Sequence, residues 1–223
     1  MYTLSNTFSW ESAVTMQDKR NLLNYISLHH MEESFEIELG CGNRKRSPTA
    51  IGIDQLDYPC VDIVGDICEV LASIPEDSIS TIRSFHVLEH LEDVGGIVQR
   101  LEEILKDGGD LQIVVPHFSN PYYYSDYTHK SFFGLYSLSY LARDEIFRRK
   151  VPTYGRSSRL KLIDVRIVFK SSPPFYFKHA LKTVLSKIIN SSRYLQETYE
   201  ELFCWIVPCY EIDYRLTKST SVS

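Results

Sequence analysis

Residues 35–54 read FEIELGCGNRKRSPTAIGID, and this stretch decides how the rest of the chain is laid out. Phe35, Ile37 and Leu39 alternate with Glu36 and Glu38, the pattern of a strand running into a core. Gly40, Cys41 and Gly42 follow at once, a turn at which two residues without a Cβ let something approach the backbone closely. Ile51, Gly52, Ile53 and Asp54 form a second short apolar strand that ends on a carboxylate. Strand, glycine turn, short connection, strand and acid are how an open α/β sheet builds a nucleoside pocket at the carboxyl ends of its strands. The connection over 40–50 is short for a covering helix and is interrupted by Pro48. A parallel crossover normally takes a dozen or more residues, so this is either a compressed crossover or a misplaced strand.

Working outward, residues 17–31 read as a helix whose apolar face is Leu22, Leu23, Tyr25, Ile26 and Leu28, covering a sheet edge or the pocket. Downstream, strands are expected at 61–64, 79–87, 111–115 and 160–169, with helices at 69–78 and 92–106. The alternation predicts a doubly wound, mostly parallel sheet in a single domain. Residues 116–141 are irregular and aromatic, and loops of that length in compact domains are usually functional. Pro173 and Pro174 open a helical excursion through 189, a second helix spans 195–205, and 210–216 alternates like a final strand. The tail after Thr217 is expected to be disordered.

The composition is that of an ordinary globular protein, 43% hydrophobic and 24% charged. The first thirty residues have neither a basic start nor an apolar run, so no secretory leader is expected. Five widely spaced cysteines without a CxxC pair fit reduced thiols in a cytoplasmic protein. The net charge of −5 hides an asymmetry: −12 over residues 1–142, +10 over 143–193 and −3 over the last thirty. A basic block in an acidic protein points to a local anionic partner, or else to pairing with the acidic part. Bulk nucleic-acid binding shows a broader positive field.

With these pieces in order, the chain resembles the class I S-adenosylmethionine-dependent methyltransferases, and within them the small type 11 group. The residues that carry the resemblance are ELGCGN at 38–43, IGID at 51–54, GD at 65–66, HVLEHL at 86–91, LKDGG at 105–109 and LQIVVPH at 111–117. It implies a Rossmann-like seven-stranded sheet with a helical insertion before the last strand. Residues 17–33 would form an N-terminal helix cap, 35–117 the cofactor-binding half, and 118–207 the acceptor-side loops and insertion. Glu38, Gly40 and Gly42 would lie beside the methionine part of S-adenosylmethionine, Asp54 would bind the ribose hydroxyls, and Asp66 would accept from the adenine amino group. His86 would lie against the cofactor. Where the family often has a third glycine this chain has Arg44, which makes the loop stiffer and leaves the run Arg44, Lys45, Arg46 unexplained. A nicotinamide enzyme would more typically show the fuller GxGxxG fingerprint.

Methyl transfer from a sulfonium needs in-line placement and, for a hydroxyl acceptor, removal of a proton. His86, Glu89, His90, His117, Asp126 and His129 fall at or just beyond the strand ends, including four of the seven histidines. Two roles compete for them. In one, His90 or His117 is a general base oriented by an acid such as Asp126, with His129 nearby. In the other, His86, Glu89, His90 and His117 ligate a divalent metal, which resembles the small-RNA terminal 2′-O-methyltransferases and some ubiquinone-pathway O-methyltransferases. Those families carry an acid where this chain has His86.

The run YYYSDYTHKSFF at 122–133 offers aromatic faces and hydroxyls suited to a sugar ring, and resembles a loop of type 11 enzymes encoded with polysaccharide-biosynthesis functions. In 175–189, Lys178 and Lys182 fall on one side and Leu181, Val184, Leu185 and Ile188 on another. Such a helix packs on its own domain, the commoner outcome, or lies on an anionic membrane surface. The expected function is O-methylation of a small anionic acceptor, a glycan precursor or phosphorylated sugar. The alternatives are RNA ribose 2′-O-methylation and a non-catalytic, cofactor-binding scaffold. The expected place is the cytoplasm, with peripheral contact at the inner face of a membrane as a variant.

Overall fold

A computed structural model describes residues 16–31, 33–171 and 174–220, without the side chains of 16–21. After helix α1 (Met16–His29) come strands β1 (Phe35–Leu39), β2 (Ile51–Asp54) and β3 (Ile63–Val64), then α2 (Ile67–Ser73), β4 (Ile79–Phe85), α3 (Val94–Ile104) and β5 (Leu105–Pro116). β6 (Leu160–Val168), α4 (Tyr176–Ile189), α5 (Arg193–Thr198) and β7 (Glu211–Lys218) complete the chain. The sheet order is β3-β2-β1-β4-β5-β7-β6, and β7 alone runs antiparallel to its neighbours. This is the Rossmann-like methyltransferase sheet expected from the sequence, with α4 and α5 inserted before the last strand.

Alternation along each strand fixes what the two faces carry. One row across the sheet is Ile51, Ile37, Ile82, Leu111, Leu216 and Leu162, all buried. The apolar sides of α2 and α3 join these residues in one core, through Val70, Leu71, Val98, Leu101 and Ile104. Each such side chain contributes about 1.5–3 kcal/mol by leaving water. The next row, on the opposite face, is Gly52, Glu38, Arg83, Gln112, Arg215 and Asp164. That face is held by polar pairs, Arg83–Glu36 at 2.8 Å and Gln112–Asp213 at 2.9 and 3.0 Å among them.

The connection over 40–50 is a compressed crossover, and both flanking strands stand as read. It contains turns and no helix, and it lies directly on β1 and β2. A Cβ on Gly52 would come within 2.9 Å of Cys41 Sγ and 3.0 Å of Lys45 Cδ, so only glycine admits this approach. Lys45 Nζ donates to Ala50 O at 2.9 Å and to Asp62 Oδ2 at 2.7 Å, tying the crossover to the chain entering β3.

The core-facing described side chain of α1 is Ile26, and the Tyr25 ring packs edge-on against Phe35 at the amino end of β1. That end is opposite the strand tips, and none of the described side chains of α1 lines the pocket. Pro173 lies outside the described residues. Residues 221–223 of the tail lie outside the described residues, and Lys218 departs from expectation: β7 runs through it, and its buried ammonium donates to Asp77 Oδ1 and to Leu105 O, both at 2.6 Å. The polar composition after Thr217 hid that anchor. The second expected helix also shortens: α5 stops at Thr198 and a wider turn continues over Tyr199–Phe203.

Candidate active site

At the carboxyl ends of β1, β2, β3 and β4 lies a cavity of about 770 Å³, within the range of small-molecule and cofactor sites. Gly40, at φ +66°, turns the chain out of β1; a Cβ there would collide with the Val87 side chain and lie 3.0 Å from Phe85 O. Glu38 is 1% exposed, and its carboxylate accepts from Arg46 N at 2.9 and 3.0 Å and from Ser47 N at 3.2 Å. Its place at the cavity wall is thus combined with organising the crossover. Asp54 accepts from Gly42 N and Leu56 N, each at 2.9 Å, leaving lone pairs directed at the cavity tip for further donors. Asp66 caps α2, accepting from Cys68 N and Glu69 N, and also lines the cavity.

The basic run is divided in function. Lys45 is structural, as above. The Arg46 guanidinium lies 3.4 Å from the centroid of the Phe85 ring, and exposed Arg44 lines the cavity with it. Among the described residues neither guanidinium pairs with a carboxylate, although Glu38, Asp54 and Asp66 also line the cavity.

His86 follows β4 at φ +54°, a left-handed conformation that a side chain rarely adopts and that marks functional positions. Its Nδ1 lies 3.3 Å from Glu89 Oε1 and its Nε2 3.2 Å from Glu211 Oε2. Burial alone would depress its pKa; the hydrogen bonds to Glu211 and Glu89 outweigh it and push it up to about 9. Both ring nitrogens thus lie beside carboxylates, and His86 is not among the residues whose ligand atoms converge.

His117 is not among them either. It is fully buried, with Nδ1 2.8 Å from Ser119 Oγ and Nε2 2.9 Å from Glu200 Oε2, and it does not line the cavity. The short strand-five tip turns it into the packing beneath the aromatic loop, where it stacks 4.3 Å from Phe118.

The residues that do converge are Glu89, His90 and His129, whose ligand atoms all lie within 4.8 Å of one another. Thr128 Oγ1 donates to Asp126 Oδ1 at 2.6 Å, so it accepts from His90 Nδ1–H at 2.9 Å. His129 Nδ1 lies 2.9 Å from Tyr123 O, a carbonyl that can only accept. Each Nδ1 therefore donates, and His129 Nε2 lies 3.6 Å from Asp126 Oδ2. Glu89 is 1% exposed, and its Oε2 is buried with no hydrogen-bond partner among the described residues. The loop is held over β4 by Lys130 N and Ser131 N, which donate to Glu89 O at 2.7 and 3.1 Å. Asp126 itself is exposed, and Thr128 hydrogen bonds hold its carboxyl below the usual range.

Sequence reading placed Thr128 among the polar residues of the acceptor wall but not as the link between His90 and Asp126. It also missed Glu211 and Lys170, which meet at 2.8 Å behind His86. Glu211 comes from 125 residues away, and only the antiparallel return of β7 brings it there.

No protein-family model matches the chain, and no curated protein matches it in sequence. Solved structures do. A SAM-dependent methyltransferase from Archaeoglobus fulgidus is similar with a TM-score of 0.52 and 17% identity, over 91% of this chain and 93% of that one. The YcgJ protein from Bacillus subtilis is similar with a TM-score of 0.52 and 15% identity, over 89% of this chain and 99% of that one. The chain has the fold of the class I S-adenosylmethionine-dependent methyltransferases.

Proposed function

We propose that this protein transfers a methyl group from S-adenosylmethionine to a hydroxyl oxygen of a small anionic acceptor, a glycan precursor or phosphorylated sugar. The observation that carries the reading is the adjacency of two features. A cavity of cofactor size lies at the strand tips, and His90 of its lining belongs to an ordered Glu89–His90–His129 cluster. Asp54 receives the ribose hydroxyls, Asp66 the adenine amino group, and Gly40 and Gly42 leave room for the methionine part, with Glu38 holding the loop around it. Arg44 and Arg46 supply the charge that an anionic acceptor would meet. In the transfer the S–CH₃ bond breaks as the O–CH₃ bond forms, S-adenosylhomocysteine leaves, and the hydroxyl proton passes to His90 Nε2. Asp126 orients His90 through Thr128.

A second reading of the same cluster is favoured by the buried, unpartnered Glu89 Oε2. Two Nε2 atoms and this oxygen form a two-histidine, one-carboxylate set suited to a divalent transition metal. Their Nδ1 hydrogen bonds are the outer support such ligands usually have. A metal there would acidify the acceptor hydroxyl in place of a base. One experiment tests both: labelled methyl transfer to phosphorylated sugars and their uncharged parents, before and after chelation, with metal content measured on the purified protein. The proposal expects label on phosphorylated sugars and its loss in His90→Ala. Equal labelling of uncharged parents contradicts the anionic acceptor. Undiminished transfer in a protein free of metal ends the metal reading.

A further inference from the structure

Helix α4 does not pack its apolar side on the domain. Its inner side grips the end of β6: Asn190 accepts from Ile167 N at 2.9 Å and donates to Ile167 O at 2.8 Å, and Lys182 Nζ donates to Lys170 O at 3.2 Å. At about 100° per residue, Phe177, Leu181, Val184 and Ile188 fall within about 60° of one another on the opposite side. They are 77%, 56%, 57% and 53% exposed. Of the apolar residues read together on one side, Leu181, Val184, Leu185 and Ile188, only Leu185 packs against the core, with Ile189 beside it.

The charges around this stripe say what covers it. Lys178 and Lys187 flank it on its two sides, and no Asp or Glu occurs between Asp164 and Glu197. Five other cations of the basic block are paired within the domain: Arg159 with Asp107, Lys161 with Glu145, Arg166 and Arg193 with Asp164, and Lys170 with Glu211. Arg148 and Arg149 lie over the Tyr194 and Tyr136 rings, whereas exposed Lys178 and Lys187 stand beside the apolar stripe with no ion pair among the described residues. A second copy of the helix would set lysine against lysine, whereas an anionic lipid surface accepts both the stripe and its flanks.

The position of the helix adds an orientation. β6 runs parallel to β5, so its end lies on the edge of the sheet that carries the cavity. Lys170 leaves β6 there and reaches the cavity wall through Glu211 and His86. Residues 176–181 project beyond the contacts with Ile167. Exposed Trp205 and Ile206 stand just before β7 begins at the same edge.

We infer that α4 is an interfacial helix that docks this protein on an anionic bilayer, with the cavity opening toward the headgroup layer. The docking itself is independent of the methyl-transfer reading; only the significance of the cavity's direction rests on it. The test is co-sedimentation of the full chain with vesicles of phosphatidylcholine alone and of phosphatidylcholine mixed with phosphatidylglycerol. Wild type should bind the mixed vesicles about tenfold or more tightly than the neutral ones, from roughly 1 kcal/mol for each lysine at the surface. Phe177→Ser/Leu181→Ser should lose binding to both. Lys178→Glu/Lys187→Glu should lose only the preference for anionic lipid. All four side chains are exposed, so these variants should keep wild-type cofactor titrations, which report the methyl-donor reading separately. Equal binding to both vesicles, no binding to either, or a wild-type dimer dissolved by Phe177→Ser/Leu181→Ser would overturn the inference.

Discussion

On the polar face of the sheet, Asp213 holds its negative charge against an opposing environment. Burial raises its pKa, and hydrogen bonds from Gln112 with the charges of Arg215 and Arg166 only partly offset it. The folded state therefore binds the proton more readily than the unfolded state, and near neutral pH the ionised group destabilises the fold. Asp213→Asn keeps an acceptor for Gln112 and removes the buried charge. It should raise the melting temperature at pH 7 by about 2 °C, and the difference should shrink as pH falls through the carboxylate range. A variant less stable than wild type at pH 7 would show that the ion pairs, not burial, dominate there. Single residues were legible where chemistry is local. Gly40, Asp54 and His90 announce themselves beside strand ends. Lys218 did not, because its partners Asp77 and Leu105 come from far along the chain.

Among the elements, the crossover of 40–50 replaces a helix with a set of polar contacts centred on Glu38. The Glu38 carboxylate accepts from two backbone N–H groups, with Arg46 N shared between both of its oxygens, so Glu38→Gln turns an amide NH₂ toward one of them. Hydrogen exchange at the Arg46 and Ser47 amides should speed up about tenfold or more, while amides of β5 keep their protection. Unchanged exchange at Arg46 and Ser47 would deny Glu38 that role. Strands and their order were readable because period-2 alternation and the glycine turns are local signals. The helix-free crossover was hinted at only by its length and Pro48. The stripe on α4 was visible as periodicity, but periodicity does not say which side meets the domain; Asn190 and Ile167 decide that.

For the molecule as a whole, the charge asymmetry is partly resolved inside the fold: Arg159 and Lys170 meet Asp107 and Glu211 from distant segments, Lys161, Arg166 and Arg193 meet Glu145 and Asp164 of the block itself, and Lys178 and Lys187 on α4 have no ion pair among the described residues. That pairing is set by tertiary contact, which explains why summed charge suggested a partner without locating it. The same limit separates His117 from His129. Both follow strand ends in sequence, yet one is buried against Glu200 and the other faces Glu89 and His90. The strands and turns of residues 35–117 were therefore almost fully legible, and the segments beyond them only in outline. Everything proposed for the site depends on the cavity being the place where the methyl donor binds. Calorimetric titration of the full chain with S-adenosylmethionine tests that most directly. Wild type should bind with one-to-one stoichiometry, and Asp54→Ala should bind about tenfold or more weakly, the loss of roughly 1.4 kcal/mol or more from the ribose contacts. No heat of binding in wild type, or equal affinity in the two proteins, would contradict it.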